Sequence, residues 1–195
     1  MAGDAAWLRQ HIRDIPDFPK RGVTFKDITP LLADAKAFGR AIDELCDAFA
    51  GVRADKVLGI EARGFIVAAP VAYRLGAGFV PVRKAGKLPW EVERQEYALE
   101  YGTDLLEIHR DAVGAGETTL IIDDVMATGG TAAAAVRLVE GLGATVAGLG
   151  FVLELAFLGG RARLDGHQPV VLLTYEGPDA EAMPVGRANG RQGGE

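Results

Sequence analysis

Two carboxylates, Asp123 and Asp124, stand side by side at the end of the apolar run Leu120, Ile121, Ile122. Three positions further on, five small residues follow in a row: Ala127, Thr128, Gly129, Gly130 and Thr131. The two glycines let the backbone approach a ligand closely and take positive φ without a Cβ penalty. Thr128 and Thr131 add hydroxyl donors. Residues 132–142 are alanine-rich with helical spacing, so the free amides and positive dipole end of a helix would open onto this turn. Such a cradle suits a phosphate. The carboxylates would repel that phosphate if they faced it, so their sensible partner is a neutral diol, such as that of a ribose, or a divalent cation held nearby. A phosphate cradle beside diol acceptors describes a ribose 5-phosphate site. Taken in isolation, the same residues could be an exposed turn that caps a helix. No Gly-x-x-x-x-Gly-Lys loop and no dinucleotide fingerprint is present. Gly141, Leu142 and Gly143 follow a helix rather than a strand and read as its C-cap.

A second cluster repeats the order of strand, loop and helix. Residues 56–60 read as a buried strand ending at Glu61, Ala62, Arg63, Gly64 and Phe65, and residues 66–75 have helical character. A guanidinium beside a helix N-terminus would bind a second anion; Arg63 alone would be an ordinary surface residue. A third strand, residues 79–82, ends in Arg83 and Lys84. Residues 85–98 lack apolar periodicity and carry Gly86, Lys87, Pro89 and Trp90, so they read as a long loop, either disordered or functional, commonly a lid. Residues 97–103 and 105–109 read as strands flanking a turn near Gly102.

These clusters need elements to position them. Residues 5–12 form a short amphipathic helix, and residues 15–30, with three prolines and Gly22, form an irregular arm. Residues 35–49 are a clear helix ended by Gly51. Strands at 145–153 and 170–175 follow the central motif. Strands alternating with helices predict an α/β fold, a mainly parallel sheet flanked by helices, with a small N-terminal hood or arm. Its ligands belong at the carboxyl ends of the strands. The expected division is an arm at residues 1–34, a core at 35–177 and a disordered, polar, Gly- and Pro-rich tail at 178–195.

Composition narrows the setting. A chain of 195 residues, 49% hydrophobic, can bury one real core. Its net charge of −6 argues against general binding to nucleic-acid phosphates. The one cysteine, Cys46, lies on the apolar spacing of Phe38, Ile42, Leu45 and Phe49, so core packing is expected and an intrachain disulfide is excluded. With no signal peptide or apolar run of membrane-spanning length, a soluble cytoplasmic protein is expected. His11, His109 and His167 have no ligand-like spacing. Trp7 is expected to pack, and Arg137 and Arg161 to be solvated or capping.

The whole string from Asp123 to Thr131 resembles the phosphoribosyl pyrophosphate motif of the type I phosphoribosyltransferases. Three further stretches are similar to the adenine phosphoribosyltransferases of that family. They are Asp17, Phe18, Pro19 with Gly22 through Pro30; Gly59 through Phe65; and Arg83 through Pro89 followed by Tyr97 through Gly102. The resemblance spans about residues 5 to 176. It implies transfer of a phosphoribosyl group from phosphoribosyl pyrophosphate to adenine, giving AMP and pyrophosphate, with Mg2+ carried by the substrate rather than by protein ligands.

It also implies roles by position. Ala127, Thr128, Gly129, Gly130 and Thr131 would hold the 5-phosphate, and Asp123 and Asp124 the ribose hydroxyls. Arg63, Lys84 and Lys87 would meet pyrophosphate. Val23, Phe25, Lys26 and Leu158 would bind adenine, Phe25 by stacking. Glu100 would be the general acid/base, and Tyr101 would belong to the lid. A homodimer is implied as well. Lys26 is an arginine in some relatives, and a lysine cannot copy the planar fork of arginine; the acidic lid residues Glu91, Glu93 and Glu96, with Trp90, also depart from the pattern. Two alternatives stay open: transfer to another base, and a non-catalytic regulator that senses phosphoribosyl pyrophosphate and binds DNA. The arm leaves little room for the DNA-reading helices such a regulator needs.

Overall fold

In a computed structural model, which describes residues 6–98 and 102–177, the centre of the fold is a strand with partners on both sides. β3 (Lys56–Ile60) lies between β4 (Gly78–Lys84) and β7 (Thr118–Met126), parallel to both. β8 (Thr145–Leu155) and β9 (Val170–Tyr175) extend the parallel sheet beyond β7. On the other edge, β5 (Val92–Ala98) and β6 (Thr103–His109) add an antiparallel hairpin, giving the order β5-β6-β4-β3-β7-β8-β9.

Helices cover both faces, and the strand sequences say why the central runs are apolar throughout rather than alternating. Val57, Leu120 and Ile122 pack toward α3 (Ala35–Ala48) and α4 (Arg63–Leu75). Leu58, Ile60 and Ile121 point the other way, toward α5 (Gly130–Gly141). The alternation of a pleated strand is therefore intact, with an apolar layer waiting on each side. Asp34 starts α3 by accepting hydrogen bonds from the amides of Lys36 and Ala37, at 2.9 Å each. α5 ends in a Schellman turn: Gly143 takes φ +83°, with Gly143 N–H donating to Glu140 O and Ala144 N–H to Val139 O. Cys46 is buried on the inner face of α3, where burial pushes its thiol pKa up.

The arm is more regular than its prolines suggest. After α1 (Ala6–Arg9), β1 (Arg13–Ile15) pairs antiparallel with β2 (Phe25–Asp27) in a ribbon of its own. A one-turn helix α2 (Thr29–Ala33) follows, accommodating Pro30 in its first turn. Leu8, Ile28 and Leu31 are fully buried in the same cluster as α3 and α4, so the arm shares the core's apolar interior. Trp7 packs, as its position suggested, beneath the guanidinium of Arg40 at 4.1 Å from the ring.

Three boundaries differ from the sequence reading. β7 does not end at the carboxylates but continues to Met126, because Asp123, Val125 and Met126 keep pairing with β8. α4 begins at Arg63, three residues early, since its first turn faces the site rather than the core and so shows no apolar spacing. The segment 85–98 is only half a loop: Val92 to Ala98 form β5, paired residue by residue with β6. The tail at 178–195 lies outside the described residues.

Glycines on β8 admit α3. A methyl on Gly150 would come 2.7 Å from Ile122 Cδ1 and 3.0 Å from Phe49 Cε2. Gly150→Ala should therefore destabilise the fold by about 1–3 kcal/mol through overpacking. A urea unfolding midpoint equal to that of the wild type would show that the layer yields at this point.

Candidate active site

The loops after β3, β4 and β7 meet at one edge of the sheet, the edge that open α/β folds use for ligands. There they enclose a cavity of about 280 Å³. Arg63, Lys84, Tyr97, Asp123, Asp124 and Thr131 all line it, so the structure brings together residues from the ends of the three strands singled out in the sequence and from the hairpin.

The carboxylate pair sits on the last, buried part of β7. Asp124 is ion-paired with Arg63 Nε, which reaches across from the first turn of α4. Asp123 Oδ1 accepts the Asp124 amide at 2.9 Å. Gly64 is next to it: a methyl there would come within 3.2 Å of Asp123 Cγ and run into the carboxylate oxygen. Only glycine lets the α4 N-terminus lie against this acid. Burial, and after it the negative charge of Asp124, push the Asp123 pKa well above the usual carboxylate range, against a smaller opposing pull from Arg63.

The glycine turn enters α5 through Gly129, whose φ of +76° is left-handed. Its carbonyl takes the first helical bond from Ala133 N–H at 2.9 Å. Gly129 and Gly130 are buried, Ala127 is half-buried and Thr128 is exposed. The helix that follows has no side-chain N-cap, so its leading amides remain available to an anion.

The hairpin edge adds a polar chain. Tyr97, buried on β5, donates to Asp104 Oδ2 at 3.2 Å, and the Thr131 hydroxyl hydrogen-bonds its phenol oxygen. Burial and the nearby Asp104 charge push the Tyr97 pKa up. The same Asp104 oxygen lies 3.2 Å from Lys84 Nζ. Glu61 also lines the cavity and pins the end of β4, accepting from Arg83 Nε at 2.9 Å and the Lys84 amide at 3.2 Å. Lys87 stands exposed on the loop before β5 and does not line the cavity; its carbonyl accepts from Arg83 Nη1 at 3.1 Å.

Of the residues expected at a base, Phe25 stands beside a cation of the cavity, with the Arg63 guanidinium 5.4 Å from its ring centroid and the Phe18 ring edge-on at 5.4 Å. Lys26 is turned the other way. Its ammonium is buried, 2.8 Å from Asp14 Oδ2 and 4.4 Å from the centre of the Tyr175 ring. As neighbours on a pleated strand, Phe25 and Lys26 face opposite sides, so Lys26 can offer a ligand at Phe25 its backbone and not its charge. Val23 is half-buried in a turn closed by Phe18 N–H donating to Val23 O. Leu158, 43% exposed, lies on a short 3-10 turn (Ala156–Leu158) after β8. Neither Val23, Phe25 nor Leu158 lines the 280 Å³ cavity. Glu100 and Tyr101 lie outside the described residues.

Two buried acids escaped the sequence reading. Glu107, on β6, accepts from the Gly86 amide and from Arg94 Nε, each at 2.8 Å, and so ties the loop and β5 together. Glu154, on β8, is held by both nitrogens of the Arg161 fork at 2.8 and 2.6 Å. Arg161 is exposed, as a solvated side chain would be, but it is also the partner of a buried carboxylate, which the sequence reading did not foresee. The available signal was a lone acid inside an otherwise apolar strand run, Val152, Leu153, Glu154, Leu155.

Comparison with known proteins places this geometry. Residues 25–171 match the family described as the phosphoribosyl transferase domain. The curated adenine phosphoribosyltransferase of Solibacter usitatus is 58% identical over 169 residues, covering 87% of this chain and 98% of its own. The crystal structure of adenine phosphoribosyltransferase from Thermoanaerobacter pseudethanolicus superimposes with a TM-score of 0.85 at 54% identity, over 88% of this chain and 99% of that one. The Saccharomyces cerevisiae adenine phosphoribosyltransferase, solved with an imino-altritol bisphosphate and adenine, gives 0.80 at 43% identity, over 88% and 98%.

A carboxyl pKa raised by folding works against stability as the pH rises: the contribution is intact in acid and is lost on passing upward through the folded pKa. Asp123→Asn should therefore melt higher than the wild type at pH 8, by at least about 2 °C, the shift roughly 1 kcal/mol gives in a domain of this size. The advantage should vanish in acid. Equal melting temperatures across the range would mean that Asp123 carries no such burden.

Proposed function

The chain belongs to the phosphoribosyltransferase family, and from that membership we infer that it is an adenine phosphoribosyltransferase, joining adenine to the ribosyl phosphate of phosphoribosyl pyrophosphate to give AMP and pyrophosphate in purine salvage. The observation that carries the reading at the level of the site is the convergence of two anion-binding helix starts, α4 with Arg63 and α5 with its glycine turn, on a cavity that has Asp123 and Asp124 between them. That spacing fits a molecule with a phosphate at one end, a diol in the middle and a pyrophosphate at the other.

In this assignment the 5-phosphate takes the amides and hydroxyls of residues 127–131. Asp123 and Asp124 accept from the ribose hydroxyls. Arg63 and Lys84 meet the pyrophosphate, with Lys87 supplied by the loop beside them. Phe25 stacks on adenine, framed by Val23, the backbone of Lys26 and Leu158. As the anomeric C–O bond breaks, positive charge grows on the sugar and negative charge on the departing pyrophosphate; cations there stabilise the transition state more than the ground state. The adenine ring nitrogen forms the new bond and gives up its proton to a carboxylate, a role that the Leu-Glu-Tyr-Gly motif assigns to Glu100. The oxocarbenium-like sugar would be hydrolysed by water, which gives the β5–β6 hairpin and Tyr101 a reason to cover it.

Mg2+ fits this donor set. Asp123 and Asp124 bring hard oxygens to the site, with Asp124 already engaged by Arg63, which suits an ion that keeps its waters and arrives on substrate phosphates rather than one held by protein ligands. Bound there, it would offset charge on the pyrophosphate.

Two copies are taken to pair, as the family resemblance implies. Supporting this, Ile66 and Tyr73 stand seven residues apart on α4 with 45% and 86% of their surfaces exposed, an apolar stripe suited to a second chain. A cytoplasmic setting accords with the reduced, buried Cys46. Among the described residues no helix is long and apolar enough to cross a membrane.

The test is product formation from phosphoribosyl pyrophosphate and Mg2+ with adenine, hypoxanthine, guanine, xanthine and uracil offered separately. AMP from adenine alone is expected. Turnover of another base instead would discard the adenine pocket and keep the phosphate site, while saturable binding with no turnover would favour a regulator. Glu100→Ala should lower kcat by about 10²- to 10⁴-fold with phosphoribosyl pyrophosphate affinity little changed; near-full turnover would remove Glu100 as the acid/base.

A further inference from the structure

We propose that the Glu154–Arg161 pair is a positioning device that fixes the base-framing residue Leu158 and the 5-phosphate turn in one geometry; the inference rests on the substrate assignment above. Glu154 is the last but one residue of β8, paired in register with Met126, and only 2% exposed. Beyond Leu155 the chain leaves the sheet, passes through the 3-10 turns Ala156–Leu158 and Gly160–Arg163, and returns Arg161 to Glu154. The contact is two-pronged, Nε to Oε1 at 2.8 Å and Nη2 to Oε2 at 2.6 Å. A bidentate, charge-assisted fork fixes orientation as well as distance, and arginine does not lose its proton at any working pH. The excursion 155–160 is thereby closed into a loop whose two ends are tied. Its other anchor is Leu164, buried in the layer under α5.

What the closed loop presses against is the glycine turn. A methyl on Gly160 would lie 3.0 Å from Gly129 N and run into Ala127 O, and a methyl on Gly129 would lie 3.1 Å from Gly160 Cα. These distances leave no room for a side chain on either partner, so the two backbones touch directly. The amides that cradle phosphate are thus seated on a loop held by Arg161, and Leu158 rides on the same loop two residues earlier. One ion pair therefore sets the distance between two subsites. A single broken contact should disturb both substrates together, whereas a residue local to either subsite would disturb one.

The test uses the full-length enzyme and four variants: Arg161→Met, Arg161→Lys, Glu154→Gln, and the matched double Glu154→Met with Arg161→Met. Arg161→Met leaves a buried carboxylate unpaired and should melt earlier; the double variant, which strands no charge, should recover most of that loss. The KM values for adenine and phosphoribosyl pyrophosphate should rise together, on the order of 10-fold or more as expected for displaced substrate groups, and should stay raised in the double variant while kcat changes less. Arg161→Lys, with charge but no fork, should fall between, and Glu154→Gln should behave as Arg161→Met does toward both KM values. Hydrogen exchange should speed up at the amides of residues 128–131 in both Met variants and stay unchanged in α3. Recovery of both KM values along with stability in the double variant would overturn the proposal, as would a rise in one KM alone or unchanged exchange at the turn. If the wild type forms no AMP, the substrate reading fails by itself, and the exchange measurement still decides whether Arg161 positions the turn.

Discussion

A buried strand that ends in two adjacent carboxylates is the constraint on which this structure depends. β7 is covered on both faces, so Asp123 arrives at the site with little water around it and with a second negative charge beside it. Removing a carboxylate from water without a partner is expensive. The neighbourhood is built round that expense: Arg63 engages Asp124, the Asp124 amide turns back to Asp123, and the first turn of α4 comes close enough for its dipole to help, which is possible only because residue 64 has no side chain. Hydroxyl donors of a sugar, in the role proposed above, would ease the same burden, so that binding and fold would share one electrostatic problem.

The same economy of contacts appears at the two glycine-lined approaches. Gly59 lets α4 sit down on β3, where a methyl would come 2.8 Å from Ala68 Cβ. Gly129 and Gly160 let one loop serve as the floor of another. In each case a small residue is present because backbone must meet backbone, or helix must meet strand, close to the edge of the sheet where the cavity opens. Geometry at the site is thus inherited from packing behind it.

Much of this was legible in the sequence because it is local. The strand runs, the helix at 35–49, the Gly143 end of α5 and the order of strand, acidic pair and glycine turn all depend on neighbours in the chain. Arg63 and Lys84 could be placed at the edge because the strands preceding them end there. What could not be read depends on residues far apart in sequence. The pairing of 92–98 with 103–109 overrides a segment whose charges alternate with no apolar side, because its partners are Glu107 and the surface of α5. The Lys26 ammonium looks free for a ligand until the short ribbon sets it against Asp14 and the end of β9 sets Tyr175 beside it. Glu154 and Arg161 are seven residues apart, yet nothing in their spacing shows that the chain doubles back between them.

The hairpin that overhangs the site is held unequally along its length. Its own two strands are joined over seven successive residue pairs, from Val92 with His109 to Ala98 with Thr103, and buried Glu107 staples the preceding loop to both. Its attachment to the rest of the sheet is two pairs, Arg83 with Glu107 and Lys84 with Leu106. That short seam is backed by the hairpin's inner face, where Tyr97, Leu106 and Ile108 are buried in the layer under α5. Because the seam itself carries Lys84, the seating of the hairpin and the aim of that ammonium are a single coordinate.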